Sequence, residues 1–122
     1  MYASARDWAR LGMLMEQDGI WNGERILPEG WVKYMTTPTP PAKIGNYGVQ
    51  TWLNAGKNGK RAFPSLPSEL FHFAGFNGQN VSVFPSRDLV IVRMGATKGG
   101  EWGQEKFLGQ ILDAIPVLST EN

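Results

Sequence analysis

Cysteine is absent from the 122 residues, and histidine occurs once, at position 72. Without thiols there can be no disulfide, no thiolate nucleophile and no cysteine-based structural zinc site, and a lone imidazole excludes a histidine-pair metal centre within one chain. A thiol-free chain suits reducing and oxidising surroundings alike, so its compartment stays open. Surplus charge is lacking too. Twelve Lys+Arg against eleven Asp+Glu give a formal net charge of +1, and no basic block of five or more residues occurs, which removes nucleic acid from the expected partners. The N-terminus has no basic, apolar, small-residue order of a signal peptide, and no apolar run approaches the roughly 20 residues of a membrane span.

What remains is an ordinary globular balance, 42% hydrophobic and 19% charged, enough for one small domain with a core. Five tryptophans, Trp8, Trp21, Trp31, Trp52 and Trp102, fall in different segments, which favours core or interface use over a single binding platform.

Ser4 followed by Asp7 reads as a capping box, and Trp8, Leu11, Leu14 and Met15 recur at helical spacing until Asp18-Gly19, which predicts a helix over 5–17. Asn22-Gly23 between Ile20-Trp21 and Ile26-Leu27 predicts a hairpin. Pro28 is expected to open a second helix with Trp31, Val32 and Met35 inward, ended by the proline-rich connector 36–41. Alternation over 47–53 predicts a strand, with a turn tip at 57–60 and a loop at 65–69. Strands are expected at 71–74 and 81–84, a turn at 85–88, and a central strand, buried on both faces, over the β-branched run 89–94. A closing helix is expected over 104–115, packed on the sheet, before Pro116 and a polar tail. Helices at both ends and strands joined by short turns give an α+β fold, an antiparallel sheet with flanking N- and C-terminal helices, covered on one face.

Self-contained nucleophilic chemistry is missing. No serine sits in a Gly-x-Ser-x-Gly elbow, and none is followed by lysine three residues on. The glycine pairs match no phosphate-cradling loop. The informative segment is Phe71-His72-Phe73-Ala74-Gly75-Phe76-Asn77-Gly78-Gln79, in which the one histidine leads into a Gly-x-x-Gly-Gln turn between strands. Small residues at Ala74 and Gly75 let a carbonyl approach the backbone, and an outward strand N–H there could stabilise an oxyanion. The plainer alternative is a bulged hairpin in which His72 is only hydrogen-bonded.

Taken in order, Ser4-Ala5-Arg6-Asp7-Trp8-Ala9-Arg10-Leu11-Gly12, the stretch from Asp18 to Val32, Tyr47-Gly48 and the stretch from His72 to Pro85 resemble the beta-lactamase-related serine hydrolases. That family groups class C beta-lactamases, penicillin-binding carboxypeptidases, esterases and amide hydrolases of the 6-aminohexanoate-dimer type. The similarity runs from about residue 3 to 115 and implies the C-terminal part of a beta-lactamase/transpeptidase-like fold, with both ends of the longer chain contributing strands to one sheet.

The resemblance further implies an acyl-enzyme formed by the serine of a Ser-x-x-Lys motif, with backbone N–H groups holding the oxyanion. His72-Phe73-Ala74 takes the place of the family's Lys-Thr-Gly or His-x-Gly strand motif, with alanine for glycine. His72 is thereby expected to line the pocket, Gly75 or Ala74 to give the oxyanion donor, and Gly78 and Gln79 to form the adjoining turn. The Gly-x-x-Gly-Gln turn points to the esterase and amide-hydrolase branches.

The motifs carrying serine, lysine and tyrosine lie upstream in the family, so the chain alone is expected to be inactive and its site to hold no catalytic nucleophile. A small ester, amide or cell-wall-peptide-like substrate is implied, with no cofactor and no metal. Self-association or strand exchange through an exposed sheet edge is expected. The alternative function is a non-catalytic glycan- or peptide-binding module.

Overall fold

The computed structural model describes residues 1–117; the expected polar tail beyond them lies outside the described residues. Helix α1 (Ala5–Glu16) begins at the Ser4 capping box, where Ser4 Oγ accepts from the Asp7 N–H at 3.1 Å and the Asp7 carboxylate reaches back to the Ser4 N–H. Asp18 and Gly19, both left-handed, end it. A two-stranded ribbon follows, β1 (Ile20–Trp21) and β2 (Glu24–Arg25), turning on left-handed Asn22 and Gly23.

Helix α2 (Trp31–Met35) is shorter than expected, because Gly30 sits at φ 81 and separates Pro28-Glu29 from the helical turn. The alternating stretch 47–53 is mostly not a strand. Gln50 is left-handed and the Gly48 N–H donates to the Thr51 carbonyl at 2.8 Å, so the chain turns back and leaves only β3 (Trp52–Leu53) extended. A Cβ on Gly48 would lie 2.0 Å from the Met35 carbonyl oxygen, which explains why glycine is required where this turn meets the end of α2.

The main sheet is antiparallel in the order β3-β4-β5-β6, with β4 Phe71–Gly75, β5 Gln79–Phe84 and β6 Leu89–Arg93. Register is continuous along the rungs Phe71, Val83, Val90 and His72, Ser82, Ile91. Residues alternate between faces, and both faces are covered, which corrects the expectation of a single covered face. On one face Phe71, Val83 and Leu53 pack with Met15 of α1. Gly12 brings that helix close, since a Cβ there would meet a Val90 methyl at 2.6 Å. On the other, Phe84 packs with Leu66, Leu70 and with Leu108 and Leu112 of α3 (Gln104–Ala114).

The β-branched strand β6 is an edge strand among the described residues, not a central one, and its residues are only half buried. Asn54 is fully buried beside the second core. Its amide nitrogen donates to the carbonyls of Phe63, Leu66 and Pro67 at 2.9–3.1 Å, and its oxygen accepts from the Phe63 N–H at 2.8 Å. That one side chain closes the loop which delivers Leu66 to the core. Among the described residues no helix is long and apolar enough to cross a membrane.

Candidate functional site

Strand β4 carries the residues singled out in the sequence, but it does not present them alike. His72 is 6% exposed, on the α3 side of the sheet. Its Nδ1 is 3.1 Å from the Asn80 side-chain nitrogen and 3.5 Å from that of Gln104, and the Phe63 ring lies 5.8 Å away. Two amide N–H2 groups facing one ring nitrogen make Nδ1 the acceptor and leave the proton on Nε2. Ser82 Oγ in turn donates to Asn80 Oδ1 at 2.5 Å. The fully buried Ser82 therefore reaches an asparagine, not the histidine, and Ser82-Asn80-His72-Gln104 forms a polar network without a nucleophile–base contact.

Burial pushes the His72 imidazolium down from the ordinary 6.5 to about 4. At His72 the unfolded chain thus binds a proton at a pH where the folded one does not, so the stability linked to this residue is full above pH 6.5 and is lost as the pH drops towards 4. A shift of this size is worth roughly 3 kcal/mol at most. Urea midpoints of the protein measured between pH 7 and 4 should fall accordingly, and His72→Gln should flatten the slope over that window. An equal slope in the variant would place the acid sensitivity elsewhere.

Ala74 and Gly75 are exposed at the end of β4, followed by Phe76, which is 87% exposed. Gly78 is buried and Gln79 half buried, Gln79 closing the hairpin opposite Gly75. The structure thus gathers Ala74, Gly75, Gly78 and Gln79 at one hairpin tip, whereas His72 lies below it, joined to the tip through Asn80, the cross-strand partner of Ala74.

The ladder decides which backbone groups face outward. The Asn54 N–H donates to the Leu70 carbonyl at 3.0 Å, and β3 pairs with β4 no further than Trp52 opposite His72. Alternation then turns the N–H and C=O of Leu70, His72 and Ala74 towards the β3 side, and those of Phe71, Phe73 and Gly75 towards β5. Beyond the end of β3 the Ala74 N–H emerges on a strand edge that is unpaired among the described residues, while that of Gly75 faces Gln79.

A cleft of about 660 Å³ lies on the α3 side, lined by Phe63, Ser65, Trp102, Gln104 and Lys106 among others. Two of these, Phe63 and Gln104, also touch His72. Sequence reading missed Asn80 and Gln104 as partners of His72 and Arg93 as a partner of the tip. Arg93 alone left a signal, a cation closing an otherwise apolar strand. Among the described residues no group of three or more His, Asp or Glu could hold a metal ion.

No family model matches the chain. It is 28% identical, over 102 residues covering 75% of its length, to a 6-aminohexanoate-dimer hydrolase of Paenarthrobacter ureafaciens, of which it spans 24%. A solved structure from Bacillus anthracis, assigned to the 6-aminohexanoate-dimer hydrolase type, superposes with a TM-score of 0.59 at 24% identity, over 93% of this chain and 30% of that one. The chain thus spans about a quarter of the length of the curated relative it matches. This chain and the solved structure share an α+β fold with an antiparallel sheet and flanking helices. At low identity and over part of their length, the chain is thus similar to proteins of the 6-aminohexanoate-dimer hydrolase type.

Proposed function

We propose that this chain is the oxyanion-side part of a serine hydrolase that cleaves an ester, amide or beta-lactam through an acyl-enzyme, the serine and lysine coming from outside these residues. The observation that carries the reading is the edge at Ala74, an N–H donor on a paired strand with no backbone partner of its own among the described residues. Such a donor, aimed where negative charge develops, is the protein's part in acyl transfer when the nucleophile approaches from another element. The small side chains of Ala74 and Gly75 leave that approach open.

The reading assigns Ala74, rather than Gly75, as the donor, and gives His72 the task of holding β4 and β5 together from beneath instead of exchanging protons. Gly78 and Gln79 shape the turn beside the pocket. The names of both relatives, hydrolases of an amide-linked dimer, favour an amide over a lactam. The half-buried apolar edge strand β6 suits pairing with a further strand of the longer chain, or with a second copy where that strand is missing. A glycan- or peptide-binding module would draw instead on the exposed Trp31–Tyr34 pair, whose ring centres lie 5.7 Å apart.

A fluorophosphonate separates these readings. The full-length protein should take one label, on a serine of a Ser-x-x-Lys motif outside these 122 residues, and the isolated chain should take none. Labelling of a hydroxyl within this chain, or a full-length protein that takes no label yet binds cell-wall fragments saturably, would overturn the proposal.

A further inference from the structure

Arg93, the last residue of β6, stands on the same rung as Ala74, because Ala74 faces Asn80 and Asn80 faces Arg93. Its guanidinium does not pair with a carboxylate among the described residues. It turns to the hairpin tip instead. Nη1 donates to the Gly78 carbonyl at 2.8 Å and to the Asn77 carbonyl at 3.3 Å, and Nη2 donates to Thr97 Oγ1 at 2.5 Å. Its Cζ lies over the Trp102 ring, 5.0 Å from the ring centre, within cation–π reach.

The tip needs such a clamp. Asn77 at φ 61 and Gly78 at φ 85 are consecutive left-handed residues, and asparagine holds that conformation at some cost. Their two carbonyls are the ones that accept from Arg93. The fit is close, since a Cβ on Gly78 would lie 2.4 Å from Arg93 Nη1 and 2.8 Å from the Trp102 ring. From the same side the Thr97 N–H donates to the Asn77 carbonyl at 2.9 Å, and the Gln79 amide clasps the backbone of Gly95, its Oε1 accepting from the Gly95 N–H at 2.9 Å. Every donor of Arg93 that finds a partner thus acts on the turn or on the segment that braces it.

We propose that Arg93 is a positioning residue, which fixes the Gly75–Gln79 turn and so holds the Ala74 N–H where the oxyanion of the reaction forms. The inference rests on the oxyanion-donor reading of Ala74 given above. Lysine cannot replace it. A compact ammonium does not offer the planar fork that spans Gly78 and Thr97.

The test uses the full-length protein with a nitrophenyl ester as substrate, counting intact sites by fluorophosphonate titration. Arg93→Gln is expected to lower kcat per titrated site by about 10- to 100-fold, the sensitivity of a reaction to a displacement near 1 Å, with KM changed less than about threefold. Arg93→Lys should recover only part of the loss. Thr97→Ala, which leaves Arg93 in place but removes one brace, should lower kcat per site by about threefold, and it decides the matter if Arg93→Gln yields no titratable sites. A merely structural arginine would reduce the number of sites and leave kcat per site at the wild-type value in these variants, which overturns the proposal. A wild-type protein that takes no label is a different result, since it overturns the reading of Ala74 itself.

Discussion

Replacing Ala74 with proline in the full-length protein should reduce kcat by about 10²- to 10³-fold, equivalent to about 3–4 kcal/mol of transition-state stabilisation. Proline removes one hydrogen-bond donor and little else at this position. A strand edge whose N–H faces outward is one of the few places in a sheet that tolerates proline, and the restriction it places on the preceding residue is already met by Phe73 in its extended conformation. Loss of the donor should appear in kcat, because the interaction strengthens only as charge develops on the substrate oxygen. Ala74→Ser keeps the N–H while altering the side chain, and it should lose far less. Rates per fluorophosphonate-titrated site make the comparison independent of yield. If Ala74→Pro keeps kcat within about threefold of wild type, the donor is not Ala74.

The second large effect concerns stability. Asn54→Ala should cost about 3–5 kcal/mol, near the upper end for single substitutions, since it leaves buried backbone groups of Phe63, Leu66 and Pro67 without their partner. Three carbonyls share the two amide hydrogens, so at least one bond is bifurcated, and no other side chain of similar volume offers both these donors and the acceptor for the Phe63 N–H. Asn54→Asp would be no better, because its carboxylate can only accept. The change in urea midpoint, followed through tryptophan emission, measures the effect. A shift worth less than about 1 kcal/mol would mean that water or a rearranged loop replaces the amide.

Local signals in the sequence were legible where a few neighbouring residues decide the structure. The Ser4–Asp7 capping box, the Asn22-Gly23 turn and the apolar spacing of Leu108 and Leu112 place α1, the ribbon and α3 to within about two residues. Reading failed where one backbone angle outweighed a pattern. Gly30 and Gln50 are left-handed, and they cut short a helix and a strand that periodicity alone would continue.

Strand β6 misled for another reason. Its β-branched composition suits burial on both sides, whereas its position among the described strands is at the edge, where its residues are only half buried. The candidate tip was visible through its glycines and the lone histidine, but the choice between Ala74 and Gly75 was not. That choice depends on where β3 stops, which in turn depends on the fold-back at Gln50. Asn80 and Gln104 were invisible as partners of His72, because one meets it across a strand and the other arrives 32 positions later in the chain.

The four strands of the main sheet lie side by side in the order in which they leave the ribosome. No crossover has to form before its neighbours can pair, so the entropy lost in bringing distant segments together is small, and contact order in the sheet is low for a β-rich unit. Zipping from the β4–β5 turn outwards is the natural route, with the helices docking on an already assembled meander. A route that zips outwards from this turn predicts that substitutions there slow refolding more than they speed unfolding.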